Sequence, residues 1–267
     1  MNYFVYRVIV AAFFCSVLTL SVKVSAECRQ LKFYLIYLTH WNVILNAFTS
    51  VFGAILVALF IKNKFNFDEE RKETPRIFKI YWFLYSISFS VSIASVFGYW
   101  LFVYNGKETG MNNILSHAGN AIVFVIDALV NAHPPRYGHF VYPMMFAMTY
   151  TFFFSLPFTL LGGTGRTYNN FIYPALDWRK KIWSALSFSF GETLGVGVTH
   201  LIAAFVVRMT YRYFSKGNHC NEFKNNQKLN ECEGEKSFSS IFKHKVAQQF
   251  LPEIEKCNEK TKINISR

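Results

Sequence analysis

Three long stretches of this chain contain no Lys, Arg, Asp or Glu. They run from Lys32 to Lys62, from Lys79 to Lys107 and from Arg136 to Arg166. Each stretch is longer than the ~20 apolar residues with which a helix crosses a ~30 Å hydrocarbon core. Three of them in 267 residues, with further apolar segments around them, leave no room for a soluble core. The sequence therefore predicts an all-α, polytopic transmembrane helical bundle.

Hydrophobic runs bounded by loop signals predict about six spans, at 5–25, 35–61, 81–104, 113–131, 140–163 and 183–207. These spans would form a six-helix transmembrane domain over residues 1–214. Residues 215–267 would be a polar cytoplasmic tail, largely disordered because it alternates Lys with Glu. An alternative for part of the tail is an interfacial helix, whose apolar positions would be Phe238, Ile241, Phe242, Val246 and Phe250.

The composition excludes several functional classes. The net charge of +12 does not indicate a nucleic-acid partner, because the basic residues lie mainly in loops beside the spans and in the tail, interleaved with Glu. The five Cys residues form no C-x-x-C pair and no Cys/His spacing typical of zinc. We therefore expect free thiols, no metal site and no cofactor, with the lipid bilayer as the main partner.

The first span has two interpretations. It follows Arg7, is short, and ends near Val24-Ser25-Ala26, which has the small residues of a signal-peptidase site. Lys23 lies close to that supposed cleavage site, which favours a helix that is retained. Counted over six spans, Lys and Arg are in excess on the side that holds both chain ends, so we expect both termini in the cytoplasm. The membrane would be the plasma membrane or the endoplasmic reticulum.

The fourth span carries a polar stripe. At ~100° per residue, Asn120, Asp127 and Asn131 fall on one helix face, and His117 lies on the adjoining flank. Such groups either hydrogen-bond to neighbouring helices or serve a function, because an ionisable side chain inside a span is costly and faces protein or a wet cavity.

The sixth span has a similar pattern. Glu192 lies near its middle, with Thr199 one heptad later on the same face and His200 beside it. Together with Asp127, Glu192 would suit a small proton-coupled transporter, because a carboxyl at this depth must be protonated, paired or hydrated.

Several short motifs, taken in order, resemble the rolling stone family of membrane proteins. They are the segment Tyr37-Leu38-Thr39-His40-Trp41, the His117–Asn120 turn followed by Asp127, the His133–Arg136 turn with His139–Pro143, Gly162-Gly163-Thr164, and the segment Ile172–Trp178. The resemblance covers about residues 37–212 and implies a multi-pass membrane protein. We expect a non-enzymatic role at the cell surface in membrane or cell fusion, and the fusion part is what the resemblance implies, since the family's founding role is in myoblast fusion.

A more distant resemblance, to the androgen-induced family of intramembrane threonine hydrolases, implies a different chemistry. It places a nucleophile at Thr39 and implies a lipid or fatty-acyl ligand whose ester is cleaved. Its catalytic His would fall three residues after His117, where this chain has Asn120. Asn cannot act as a general base, so hydrolysis would depend on His117 and is expected to be weak or absent.

The predicted topology can be tested by glycosylation. Asn264-Ile265-Ser266 is the one Asn-x-Ser/Thr sequon of the sequence, and the predicted orientation places it in the cytoplasm. We expect no glycosidase-sensitive shift on gels when the chain is expressed in a secretory-competent cell. A shift that disappears in Asn264→Gln would reverse the orientation.

Overall fold

The computed structural model describes residues 3–62, 75–104, 106, 110–130, 135–164 and 171–225. Asn131, His133, the interfacial segment around Phe238 and the sequon at Asn264 lie outside these residues.

Six helices are long and apolar enough to cross a membrane, and the described residues contain no strand. They are α1 (Tyr3–Glu27), α2 (Leu38–Ile61), α3 (Arg76–Gly98), α4 (Met111–Val130), α5 (Tyr137–Leu160) and α6 (Ile182–Asn225). Short 3-10 helices at Leu31–Ile36 and Pro174–Leu176 precede α2 and α6. The predicted fold class is confirmed: this is an all-α, multi-pass membrane protein.

The described residues fall into two compact units. One holds those within 1–126 and 135–205, and the other holds those within 127–130 and 206–225. The packing and the candidate site described below belong to the first unit.

Three helices contain or continue into π-helical turns. These turns are Tyr99–Val103 after α3, Leu115–Gly119 within α4 and Thr149–Ser155 within α5. In α5 the cause is Pro157, which has no N–H to donate to the preceding turn, so the regular ladder cannot continue through it. Wide turns of this kind are often found at functional sites.

Helix α1 is packed into the bundle. Phe14 and Val17 are buried, and the Phe14 ring lies 4.8 Å from that of Phe124 on α4. The Tyr34 hydroxyl, in the turn before α2, donates to the buried Ser21 hydroxyl at 3.1 Å. Cleavage at the supposed signal-peptidase site would remove these contacts, and the retained first helix stays a prediction.

A seam of amide and hydroxyl groups joins α2 to α3. The side-chain nitrogens of Asn42 and Asn46 donate to the Ser92 hydroxyl at 3.3 and 2.9 Å, and the hydroxyls of Thr49 and Ser88 pair at 3.0 Å. All five side chains are buried. Lipid provides little hydrophobic drive for helix association, so such interhelical hydrogen bonds and close packing hold the pair together.

Helix α6 packs on α3 and α5 through small and branched apolar residues. Val196 of α6 is buried with Ile87 and Val91 of α3 and with Ala147 of α5. A Cβ atom at Gly197 would lie 2.7 Å from the Met144 sulfur, so the missing side chain lets α6 approach α5 closely.

We expect Ser92→Ala to destabilise the bundle by about 1–3 kcal/mol, because it leaves two buried amide nitrogens without their acceptor. The matched control is Ser95→Ala on the same helix, because the Ser95 hydroxyl donates only to its own helix, at the Ser92 carbonyl. Thermal unfolding in detergent, followed by tryptophan fluorescence, measures both changes. Equal midpoints for the two variants would show that the seam contributes no stability.

Candidate functional site

The first turn of α2 is tied back to the 3-10 helix before it. The His40 ring stacks on the Tyr34 ring at 3.9 Å, and its Nδ1 donates to the Tyr34 carbonyl oxygen. The Trp41 indole N–H donates to the Leu35 carbonyl at 2.7 Å. Both residues directly follow Thr39, so their contacts fix the start of α2, where Thr39 lies.

The connection between α5 and α6 is fixed at its second half. One Asp177 carboxylate oxygen accepts the backbone N–H groups of Arg179 and Lys180 at 3.3 and 3.1 Å, a turn that leads into α6. The Arg179 guanidinium donates to the Thr159 carbonyl at 3.0 Å, near the end of α5. Cationic side chains satisfy the free carbonyls at a helix C-terminus in this way.

Buried side chains hold the same connection against the helices. Leu176 and Trp178 pack with Ala185 of α6, and the Trp178 indole N–H donates to the Ser155 hydroxyl at 3.4 Å. The segment that includes Tyr173 is therefore held at a defined height on the bundle.

These two fixed segments meet at Tyr173. Its hydroxyl forms a side-chain hydrogen bond with Thr39, and its ring meets that of Tyr37 edge-on, with centroids 5.5 Å apart. Tyr173 also shares a side-chain hydrogen bond with Tyr150, which lies on the π-helical turn of α5. The Tyr150 hydroxyl donates a hydrogen bond to the Ile36 carbonyl oxygen at 2.7 Å.

Glu192 adds an acidic group beside the two phenols. It is half-buried on α6 and acts electrostatically on both Tyr150 and Tyr173. Burial raises the pKa of the Tyr173 phenol, and the nearby Glu192 charge raises that pKa further. The Tyr173 hydroxyl therefore stays neutral at physiological pH and works as a hydrogen-bonding group, not as a base. We call Thr39, Tyr150, Tyr173 and Glu192 the tyrosine cluster.

His117 and Asn120 form their own contacts on α4. The His117 ring stacks on Tyr99 at 4.2 Å and pairs with the Ser95 backbone, while the Asn120 amide donates to the Ser116 carbonyl at 2.9 Å. Within the described part of the chain, Nδ1 of His117 and Oδ1 of Asn120 are buried without a hydrogen-bond partner. Buried polar atoms of this kind occur at sites of strain or of function.

The structure thus brings Thr39 together with Tyr173, and His117 together with Tyr99 and Ser95. His40, next to Thr39, lies within electrostatic range of His117. A catalytic set of Thr39, His117 and Asn120 stays a prediction.

The remaining predicted polar residues have separate environments. Asp127 is buried in the second unit, and Thr199 is half-buried on α6. His200 is fully buried: its Nδ1 pairs with the Ser90 hydroxyl at 2.7 Å, and its Nε2 donates to the Arg136 carbonyl at 2.9 Å. In the described ranges, no group of three His, Cys, Asp or Glu side chains could hold a metal ion.

Sequence reasoning missed the alternating serines of α3. Residues two apart on a helix point ~200° away from each other, so the run S-x-S-x-S-x-S builds two opposite polar faces. Ser88 and Ser92 face α2, whereas Ser86 and Ser90 pair with His139 and His200. The run is visible in the sequence and was a usable signal. Tyr150 carried no such signal, because it is one of many aromatic residues in its span.

The comparison with known families shows to which family the chain belongs. The family profile described as "Protein rolling stone" matches residues 1–222. The chain belongs to the rolling stone family. The match includes both segments that meet at Tyr173, so the tyrosine cluster lies within the part of the chain that defines the family.

One relative in this family is "Protein rolling stone" of Drosophila melanogaster. The two sequences are 34% identical over 186 residues, which are 66% of this chain and 66% of the relative. The chain thus spans about two thirds of the length of that relative. No solved structure matches this chain.

We expect Tyr173→Phe to lower stability by about 1 kcal/mol near neutral pH, through loss of its hydrogen bonds. The variant should also lose less stability than wild type as the pH rises above about 10. A phenol whose pKa is raised in the folded state stabilises the fold below its unfolded pKa of about 10, and this stabilisation is lost as the pH rises further.

The measurement is the thermal midpoint of wild type and variant at pH values on both sides of 10. Tyr104→Phe is the control, because this exposed residue keeps its ring contacts with Tyr99 and Trp100 when the hydroxyl is removed. If Tyr173→Phe and Tyr104→Phe respond alike to alkali, the buried hydroxyl of Tyr173 has no special role.

Proposed function

We propose that this protein acts non-enzymatically at the cell surface, in a process related to membrane or cell fusion. Both termini would lie in the cytoplasm, and the start of α2 and the α5–α6 connection would face outward. Membership in the rolling stone family and the six spans support this proposal. The fusion role itself comes from the resemblance to the family.

The observation that carries the non-enzymatic part is the hydrogen bond between Thr39 and Tyr173. A threonine nucleophile needs a base that takes its proton. The partner of Thr39 is a phenol that stays neutral, and a neutral phenol accepts a hydrogen bond without taking the proton. The pair therefore serves as a joint between two segments of the chain.

This joint shapes one face of the bundle. The tyrosine cluster links the start of α2 and the turn before it to the π-helical turn of α5 and to the α5–α6 connection, and Glu192 of α6 acts on it electrostatically. A face held by hydrogen bonds between these parts of the chain keeps one shape, which suits a surface that is recognised in contact between cells. In this proposal the fixed face is the part of the molecule that acts.

A second candidate is intramembrane hydrolysis of a lipid or fatty-acyl ester. The observation that favours it is the buried Nδ1 of His117, which has no hydrogen-bond partner among the described residues while the ring pairs with the Ser95 backbone. A lone pair kept free in this way could serve as a base.

Content mixing between two cell populations tests the first proposal. Each population carries one half of a split cytosolic reporter, and both express the protein. We expect wild type to raise reporter signal several-fold, and Tyr173→Phe and Thr39→Val to reduce that gain at equal surface level.

The matched controls are Tyr104→Phe and Thr19→Val. Thr19 is on α1, and its hydroxyl donates to the Cys15 carbonyl of the same helix. No increase in mixing by wild type, or equal losses in the controls, would contradict the proposal.

Labelling with a fluorophosphonate probe separates the two candidates. We expect no labelling of wild type in membranes. If wild type is labelled and Thr39→Ala is not, the protein is a threonine hydrolase and the non-enzymatic proposal is wrong.

A further inference from the structure

The end of the bundle at the start of α5 carries a second cluster of polar side chains, apart from the tyrosine cluster. The Arg136 guanidinium lies over the Trp82 indole of α3, 5.8 Å from the ring centroid. His139, one turn further along α5, pairs through Nδ1 with the Ser86 hydroxyl at 3.2 Å. We call Trp82, Ser86, Arg136 and His139 the basic patch.

The basic groups of this patch have no acidic counterpart among the described residues. Arg136 is exposed, and its guanidinium contacts the Trp82 ring. Its backbone carbonyl accepts a hydrogen bond from His200, and its charge acts on His139. His200 also acts electrostatically on His139. The Arg136 guanidinium carries a fixed positive charge, which attracts an anion.

Buried hydrogen bonds hold the patch in place. His200 donates from Nε2 to the Arg136 carbonyl at 2.9 Å, and its other ring nitrogen pairs with Ser90 of α3. The backbone that carries Arg136 is thereby fixed to α3 and α6. His200 acts here as a positioning residue for the guanidinium.

The hydrogen bond of His139 with Ser86 uses one ring nitrogen and leaves the other for a ligand. The Ser86 hydroxyl donates its proton to the Trp82 carbonyl at 2.8 Å, so it accepts a hydrogen bond from Nδ1 of His139. Nε2 of His139 is then the nitrogen that can bind an anion when the ring is protonated.

The surroundings of the patch suit a lipid. Arg136 directly precedes the first residue of α5, and arginine and tryptophan at span ends lie at the level of the lipid headgroups. Next to the patch, Phe83 packs against Tyr142 at 4.9 Å, and Ile80, Phe83 and Val141 expose much of their apolar surface. An acyl chain can lie along these side chains, whereas a free phosphate would gain nothing from them.

We propose that the basic patch between α3 and α5 binds the phosphate of an anionic phospholipid, with the lipid's acyl chain along Ile80, Phe83 and Val141. Arg136 forms the charge-assisted hydrogen bonds to the phosphate oxygens, because a guanidinium offers two parallel donors. Trp82 holds the guanidinium by a cation–π contact. This inference does not depend on the proposed role in fusion.

The test uses the purified full chain in a neutral detergent, titrated with dioleoyl phosphatidic acid and observed by native mass spectrometry. We expect Arg136→Gln to weaken binding about fivefold or more, as for one basic residue at an anionic surface. Arg136→Lys should keep most of the affinity. Trp82→Leu should weaken binding about two- to fivefold without any change of charge.

The matched control is Arg29→Gln, which removes the same charge from an exposed position in the turn after α1. Wild-type affinity in Arg136→Gln, or an equal loss in Arg29→Gln, would overturn the proposal. Inorganic phosphate is added in a separate arm, where we expect no displacement of the lipid at millimolar concentration. If phosphate alone binds as tightly as the lipid, the acyl part of the proposal is wrong and the site takes free phosphate.

Discussion

A polar group that a helix carries into the hydrocarbon region of a membrane is costly unless it finds a partner inside the protein, because lipid offers no hydrogen bonds in exchange. This requirement explains the arrangement of α2, α3 and α6. The Asn42–Ser92 and Thr49–Ser88 pairs join α2 to α3, and the Ser90–His200 pair joins α3 to α6. Helix α3 occupies the centre of these contacts because its serines alternate between two faces.

The same requirement gives the two ends of the bundle different characters. At one end, phenols and a carboxyl meet around Tyr173 and connect segments that are far apart in the sequence. At the other end, Arg136 and His139 are held by partly buried hydrogen bonds but keep hydrogen-bonding capacity toward the outside. We propose a recognition surface for the first arrangement and an anionic lipid for the second.

Family membership and geometry contribute separately to the functional argument. The rolling stone match covers residues 1–222 and says which proteins share this architecture. The geometry says which partners the side chains of the shared motifs have. Thr39, the nucleophile implied by a distant resemblance, is bonded to Tyr173, while His117 stacks on Tyr99. A chemical role inferred from a short motif depends on which partner the fold supplies, and here that partner is a neutral phenol.

The sequence by itself determined the number and position of the spans, because hydropathy and length are local properties that each helix carries alone. It also determined that Glu192 and His200 would need partners inside the protein, since an ionisable group inside a span needs a partner wherever it lies. Only the tertiary structure decided which partners those are. The meeting of Thr39 with Tyr173, and of Arg136 with Trp82, depends on the relative rotation and depth of helices and on how a connecting loop is held. These are set by packing between elements distant in the chain, and no periodicity within one helix encodes them.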